Sequence, residues 1–174
     1  MSSIERIIET CRVCSAKAPS PIMDFGFLAL TGVFLEDGTK VPKSPLVLCR
    51  CSNCGLVQLQ HTYDQEALYG DTYGYESHLN SSMVAHLKSK ARALEARYLK
   101  DKANPIIVDI ASNDGTLLAG YQTSKAKLIG IDPLIGVVSD HYPENSVKIK
   151  DFFSSKTYFA NNQEKADLVT SLSV

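Results

Sequence analysis

Ile106-Ile107-Val108-Asp109-Ile110-Ala111-Ser112-Asn113-Asp114-Gly115-Thr116-Leu117-Leu118 decides how the second half of this 174-residue chain is read. Its first five residues make a short apolar run of buried-strand type, a turn of small and polar residues follows, and Asp114–Tyr121 has helix character. Downstream the texture repeats. Leu128–Ile131, Val147–Ile149 and Leu168–Leu172 read as strands, with helices expected at Leu134–His141 and Ser154–Ala160. Strands separated by helical stretches imply a parallel, doubly wound sheet, here in the order 3-2-1-4.

Upstream lies a longer helix. Asn80 or Ser81 caps it, since a side-chain oxygen there accepts an otherwise unpaired backbone N–H. Met83, Leu87, Ala91, Leu94 and Tyr98 form one apolar stripe, and Asn104-Pro105 is expected to stop the helix. Lys88, Lys90, Arg92, Arg97, Lys100 and Lys102 read as its solvated face.

The first sixty residues hold all five cysteines. Cys11-Arg12-Val13-Cys14 and Cys51-Ser52-Asn53-Cys54-Gly55 are two C-x-x-C knuckles, each able to aim two thiolates at one ion. Together they complete the sulfur tetrahedron of a structural Zn2+ site. The intervening residues 15–50 are expected to form hairpins or loops, and Cys49, outside the knuckle spacing, reads as a buried thiol. The fold class is therefore α/β: a small four-cysteine zinc-binding β-rich module followed by an incomplete Rossmann-like parallel sheet with flanking helices. The expected boundaries are 1–72 for the zinc module, 73–103 for a linking helix region and 104–174 for the partial cofactor domain.

A strand followed by a small-residue turn brings a ligand close to the backbone. Asp109 ends the first strand of that domain, and Asp132, in Gly130-Ile131-Asp132-Pro133, ends the second, where a carboxylate suits two ribose hydroxyls. Ala111 and Asn113 stand where a pyrophosphate-binding loop would carry glycine. That favours a phosphate-free cofactor such as S-adenosylmethionine; a nucleotide, or a turn that binds nothing, stays open on these residues alone.

Composition narrows the partners. A formal charge of −1 gives no basic face for nucleic acid. The first twenty residues lack a basic-then-apolar leader and no run approaches a membrane span, so a cytoplasmic location is expected. Cysteines in that compartment point to metal rather than disulfides.

In collinear order, four segments resemble the sugar C-methyltransferase family, within the class I methyltransferases. They are Cys11-x-x-Cys14 with Asp24-Phe25-Gly26 and Phe34-Leu35; Cys51-x-x-Cys54 with Gly55-Leu56-Val57-Gln58-Leu59; Tyr73-Gly74-Tyr75-Glu76-Ser77 with Met83-Val84-Ala85-His86; and Ser112–Leu117 ahead of Gly130–Pro133. The resemblance implies S-adenosylmethionine and Zn2+ as cofactors and a nucleotide-linked sugar as substrate. It implies that Asp109, Asn113 and Gly115 line the methionine side with Ala111 in the same cofactor-binding turn, that Asp132 holds the ribose and Phe152 contacts adenine, and that Tyr73 and Tyr75 face the substrate. Two departures stand out: Ala111 replaces a usual glycine, and Leu28-Ala29-Leu30-Thr31 stands where the family has Pro-Leu-Ala-Asn. None of His61, His78, His86 and His141 sits in a motif that marks a catalytic base, and the resemblance places that base beyond Val174. Four strands of an expected seven, and an apolar last strand, lead to the expectation of a shortened chain, inactive alone. The alternatives are O- or N-methylation of a small molecule, or a zinc-ribbon binding module joined to a non-catalytic half.

Overall fold

The fold was obtained as a computed structural model, which describes residues 5–17, 19–29, 40–70 and 72–173. It divides between Gly74 and Tyr75 into two compact units.

In the first unit, β1 (Glu5–Ile7) pairs antiparallel with β5 (His61–Tyr63). Three further strands, β2 (Ser20–Ala29), β3 (Lys43–Arg50) and β4 (Val57–Leu59), form an antiparallel sheet in that order. The expected hairpin between the knuckles is the β2–β3 pair; Leu30, Thr31, Phe34 and Leu35 lie outside the described residues. A short helix, α1 (Gln65–Tyr69), is capped by Asp64, whose carboxylate accepts the Ala67 N–H at 2.9 Å. Val47 is buried here, but the other buried hydrophobic side chains among the described residues of this unit are Cys11, Cys49 and Cys51. Sulfur takes the place of a conventional core.

The second unit is a Rossmann-like α/β layer structure. Strands β6 (Ile106–Ile110), β7 (Lys127–Ile131), β8 (Val147–Ile149) and β9 (Leu168–Ser171) run parallel in the order β8-β7-β6-β9, the expected 3-2-1-4. Central β6 is buried on both faces, as parallel strands are. Its side chains alternate. Ile107 meets Leu87 and Ala91 of α2 (Ser81–Tyr98), with Leu117, Leu118 and Tyr121; Ile106 and Val108 face Ile129, Ile131, Ile149 and Tyr158 of α3 (Ser155–Asn161). Helix α2 thus packs as one layer of the second unit, although it was read from the sequence as part of a link.

Several expected elements end or form differently. Asn80 caps α2 as expected, its side chain accepting from the N–H groups of Ser82 and Met83. The helix ends at Tyr98, ahead of Asn104-Pro105, because Leu99 turns into the core while its N–H still bonds Glu95. Tyr98 at the end of the stripe is half exposed rather than packed. The helix expected over Asp114–Tyr121 is only a single 3-10 turn, Leu118–Gly120, and that expected over Leu134–His141 is a series of turns. The cause is local. Gly115 and Gly136 take φ of 83° and 82°, outside the helical region, so neither stretch can continue as an α-helix.

Candidate metal centre and cofactor site

The two knuckles close with the same hydrogen bonds. The Ser15 N–H donates to the Cys11 carbonyl and the Gly55 N–H to the Cys51 carbonyl, both at 3.0 Å. The N–H of each leading cysteine reaches a carbonyl five residues on, Cys11 to Ala16 at 2.8 Å and Cys51 to Leu56 at 2.9 Å. The residue after each second cysteine has positive φ, 58° at Ser15 and 77° at Gly55; the glycine adopts that conformation freely and the serine at some cost.

Folding brings the sulfurs of Cys11, Cys14, Cys51 and Cys54 within 4.8 Å of one another. Cys11 and Cys54 lie 3.7 Å apart, Cys14 and Cys51 3.6 Å. A tetrahedron with Zn–S bonds of about 2.3 Å has S···S edges of about 3.8 Å. The donor set fits Zn2+ in identity, number and spacing. Backbone N–H groups of Cys14 and Val13 pull the Cys11 thiol down to about 6, and that of Ala16 lowers Cys14. Cys54 is pushed up to about 12 despite the pull of the Leu56 N–H, because neighbouring sulfurs share its proton. A dication held by the four sulfurs would replace that shared proton.

A second layer steadies the site. The Gln58 amide donates to Cys11 Sγ at 3.3 Å, while its carbonyl accepts the Arg12 N–H at 3.2 Å. The Arg12 guanidinium ties the knuckle to the Leu59 and His61 carbonyls. Such outer hydrogen bonds orient ligands, and neither residue announces itself by spacing. Cys49 stays outside the cluster as expected, fully buried, donating to the Gln58 carbonyl at 3.3 Å.

In the second unit, the turn after β6, Asp132 after β7 and Phe152 after β8 share the carboxyl edge of the sheet, where ligands of open α/β sheets bind. Ala111 and Asn113 take φ of 53° and 51°, strained for residues with a Cβ, and Gly115 takes the third positive φ. The N–H groups of Ala111, Ser112, Asn113, Gly115 and Thr116 already donate within the unit. With those donors engaged and no α-helix behind the turn, it does not form a phosphate cradle.

Asn113 ties down the segment that enters α2: its side chain accepts the Ser77 N–H at 3.1 Å and donates to the Tyr75 carbonyl at 3.0 Å. Tyr75 is thereby placed at the turn with its side chain substantially exposed, whereas Tyr73 belongs to the first unit, its ring 5.5 Å from Tyr69. Asp109 is buried, and Thr170 donates to it at 2.6 Å; burial raises its carboxyl to about 7. Asp132, also buried, accepts the Asn113 and Leu134 N–H groups at 2.8 and 2.7 Å. Burial raises its pKa and those two bonds pull it back. Phe152 is half-buried.

Three residues that the sequence reading did not assign complete this edge. Asp114 is fully buried and accepts the His78 N–H at 2.7 Å; Ser112 and Tyr142 share a 2.7 Å hydrogen bond. Asp114 and Ser112 stood inside the decisive motif, but nothing in the sequence marks Tyr142.

Residues 11–69 match the family described as "Putative zinc binding domain". A C-methyltransferase of Streptomyces niveus, NovU, is 29% identical over 147 residues, covering 80% of this chain and 34% of that protein. Over most of its own length the chain is thus similar to a C-methyltransferase. The resemblance drawn from the four sequence segments is borne out at that level, with a zinc-binding domain at the front. The chain spans about a third of the length of the curated relative it matches. Among the described residues, no helix is long and apolar enough to cross a membrane.

Proposed function

We propose that the second unit binds S-adenosylmethionine at the Ala111–Gly115 turn, and that the chain serves methylation of carbon in a small molecule, a nucleotide-linked sugar. What carries the reading is a turn unsuited to phosphate, followed by an acid at the end of the next strand, in a relative of a C-methyltransferase. Under it, Asp132 receives the ribose hydroxyls: each carboxylate oxygen holds one backbone N–H and has a lone pair to spare. Asn113 and Gly115 lie along the methionine side, Phe152 beside the adenine, and Tyr75 toward the substrate. The bound cofactor supplies an electrophilic methyl group, and the residues here hold it in line for attack. Proton removal next to a keto group needs a base, and no residue of this chain is given that role. The first unit holds Zn2+ structurally, and the reaction takes place in the cytoplasm.

One observation favours a rival reading, a zinc module joined to a half that binds nothing: Asp132 is buried and already bonded. Calorimetry with S-adenosylhomocysteine separates the two. Binding that weakens tenfold or more in Asp132→Asn, the loss expected for a charged hydrogen bond, supports the cofactor site. Heatless titration of folded wild type and folded Tyr142→Ala alike refutes it.

A further inference from the structure

Beside the candidate cofactor turn, the Tyr142 ring stands against the backbone of two glycines on different elements. A Cβ on Gly115 would lie 2.5 Å from its Cγ, and one on Gly130 of β7 would overlap its Cε1. The hydroxyl shares a hydrogen bond with Ser112 Oγ at 2.7 Å and donates to the Asn113 carbonyl at 2.9 Å. An aromatic ring thus fills the cleft between the turn after β6 and the end of β7. The space left next to it, lined by Asn113, Gly136 and Tyr142 among others, amounts to about 40 Å³. Small-molecule sites take roughly 300–1,000 Å³, so this gap suits water and not a nucleoside.

The ring belongs to a strap, residues 137–142, bounded by Gly136 in the left-handed region and by Pro143. Each of its last four residues is pinned. Ser139 N–H donates to Glu76 at 3.3 Å, Lys148 pairs with Asp140, and His141 N–H donates to the Asp114 carbonyl at 2.8 Å while its ring stacks 3.5 Å from that of His78. Lys148 also lies 5.3 Å over the Tyr142 ring. The ties at Ser139 and Asp140 are polar and exposed, while the Tyr142 ring also packs against the core cluster that contains Ile107, Leu117 and Leu118. Segments with few buried apolar contacts open most readily, so the strap leads and the ring follows.

We propose that Tyr142 is a plug: the strap holds its ring in the cleft where the adenosyl cofactor binds, and the cofactor enters only when the strap swings out. This rests on the cofactor reading above. A site closed in this way binds with its intrinsic dissociation constant divided by the fraction of open molecules. Loosening the plug should therefore tighten binding, the reverse of what removing a ligand contact does.

The test is calorimetry of S-adenosylhomocysteine with wild type, Tyr142→Phe and Tyr142→Ala, together with the fluorine resonance of 3-fluorotyrosine placed at position 142. Tyr142→Phe keeps the ring and loses both hydroxyl bonds, which should tighten binding about tenfold; Tyr142→Ala should tighten it further. The fluorine signal should move from a buried to a solvent-exposed position as ligand is added. Equal or weaker binding by the variants, with wild type still binding, overturns the plug and leaves the cofactor reading standing. No binding by any folded variant overturns both. If Tyr142→Ala fails to fold, Tyr142→Phe and the fluorine signal decide on the same criteria.

Discussion

Stripping metal from the Cys11, Cys14, Cys51 and Cys54 cluster should unfold the first unit while the second keeps its protection. The magnitude follows from what the first unit buries. Among its described residues the buried hydrophobic side chains are Cys11, Val47, Cys49 and Cys51, and two of these belong to the four-cysteine cluster. Full burial of one valine contributes about 1.5–3 kcal/mol, while ordering each residue costs about 1–2 kcal/mol. Zinc at a site of this type contributes about 10–16 kcal/mol, so the metal outweighs the small apolar core. Hydrogen exchange read by mass spectrometry, with zinc counted in parallel, measures the effect. On chelation, β3 and β5 should lose protection together as bound zinc falls from one per chain to none, whereas β6 and β7 should stay protected. Cys51→Ser should reproduce the chelated state, and Cys49→Ala should keep its full complement of zinc. Persistent protection of β3 in metal-free protein would refute the reasoning, as would the absence of zinc from protein purified without chelator.

Two further outcomes concern the second unit. A Cβ at position 120 would lie 2.7 Å from Ala91 Cβ and 2.9 Å from Lys88 Cα, both on α2, so Gly120→Ala should cost about 1–3 kcal/mol. Its melting temperature should fall by about 4–8 °C per kcal/mol lost, and an unchanged melt would show that α2 gives way freely. The Asp109 carboxyl is raised from 3.8 to about 7, chiefly by burial. A folded pKa above the unfolded one means the native state retains a proton that the unfolded chain has released. Its contribution is therefore most favourable at the acid end and declines as pH climbs toward about 7, by up to about 1.4 kcal/mol per unit. Asp109→Asn keeps an acceptor for Thr170 and should flatten that decline in melts compared between about pH 4.5 and 7.5; parallel slopes for the two proteins would count against it.

The metal ligands were legible because their chemistry is local: two residues between thiols set one tight turn, and two such turns suffice for a tetrahedron. The strands were legible for a similar reason, since runs such as Ile106–Ile110 bury both faces and leave an unbroken apolar signature. The helices expected at 114–121 and 134–141 were misread because each stretch has helix-compatible composition, while Gly115 and Gly136 take a positive φ that no right-handed helix holds.

By itself, then, the sequence determined the sulfur tetrahedron, the capped start of α2 and the parallel sheet with an acid at the end of each of its first two strands. Tertiary structure alone decided that Asp132 turns its carboxylate onto the Asn113 and Leu134 N–H groups and that Tyr142 lies across Gly115 and Gly130. The physical reason is one of range. Turn and strand propensities act over a few residues, whereas a ring reaching glycines 27 and 12 positions earlier is placed by the strands that bring those glycines side by side.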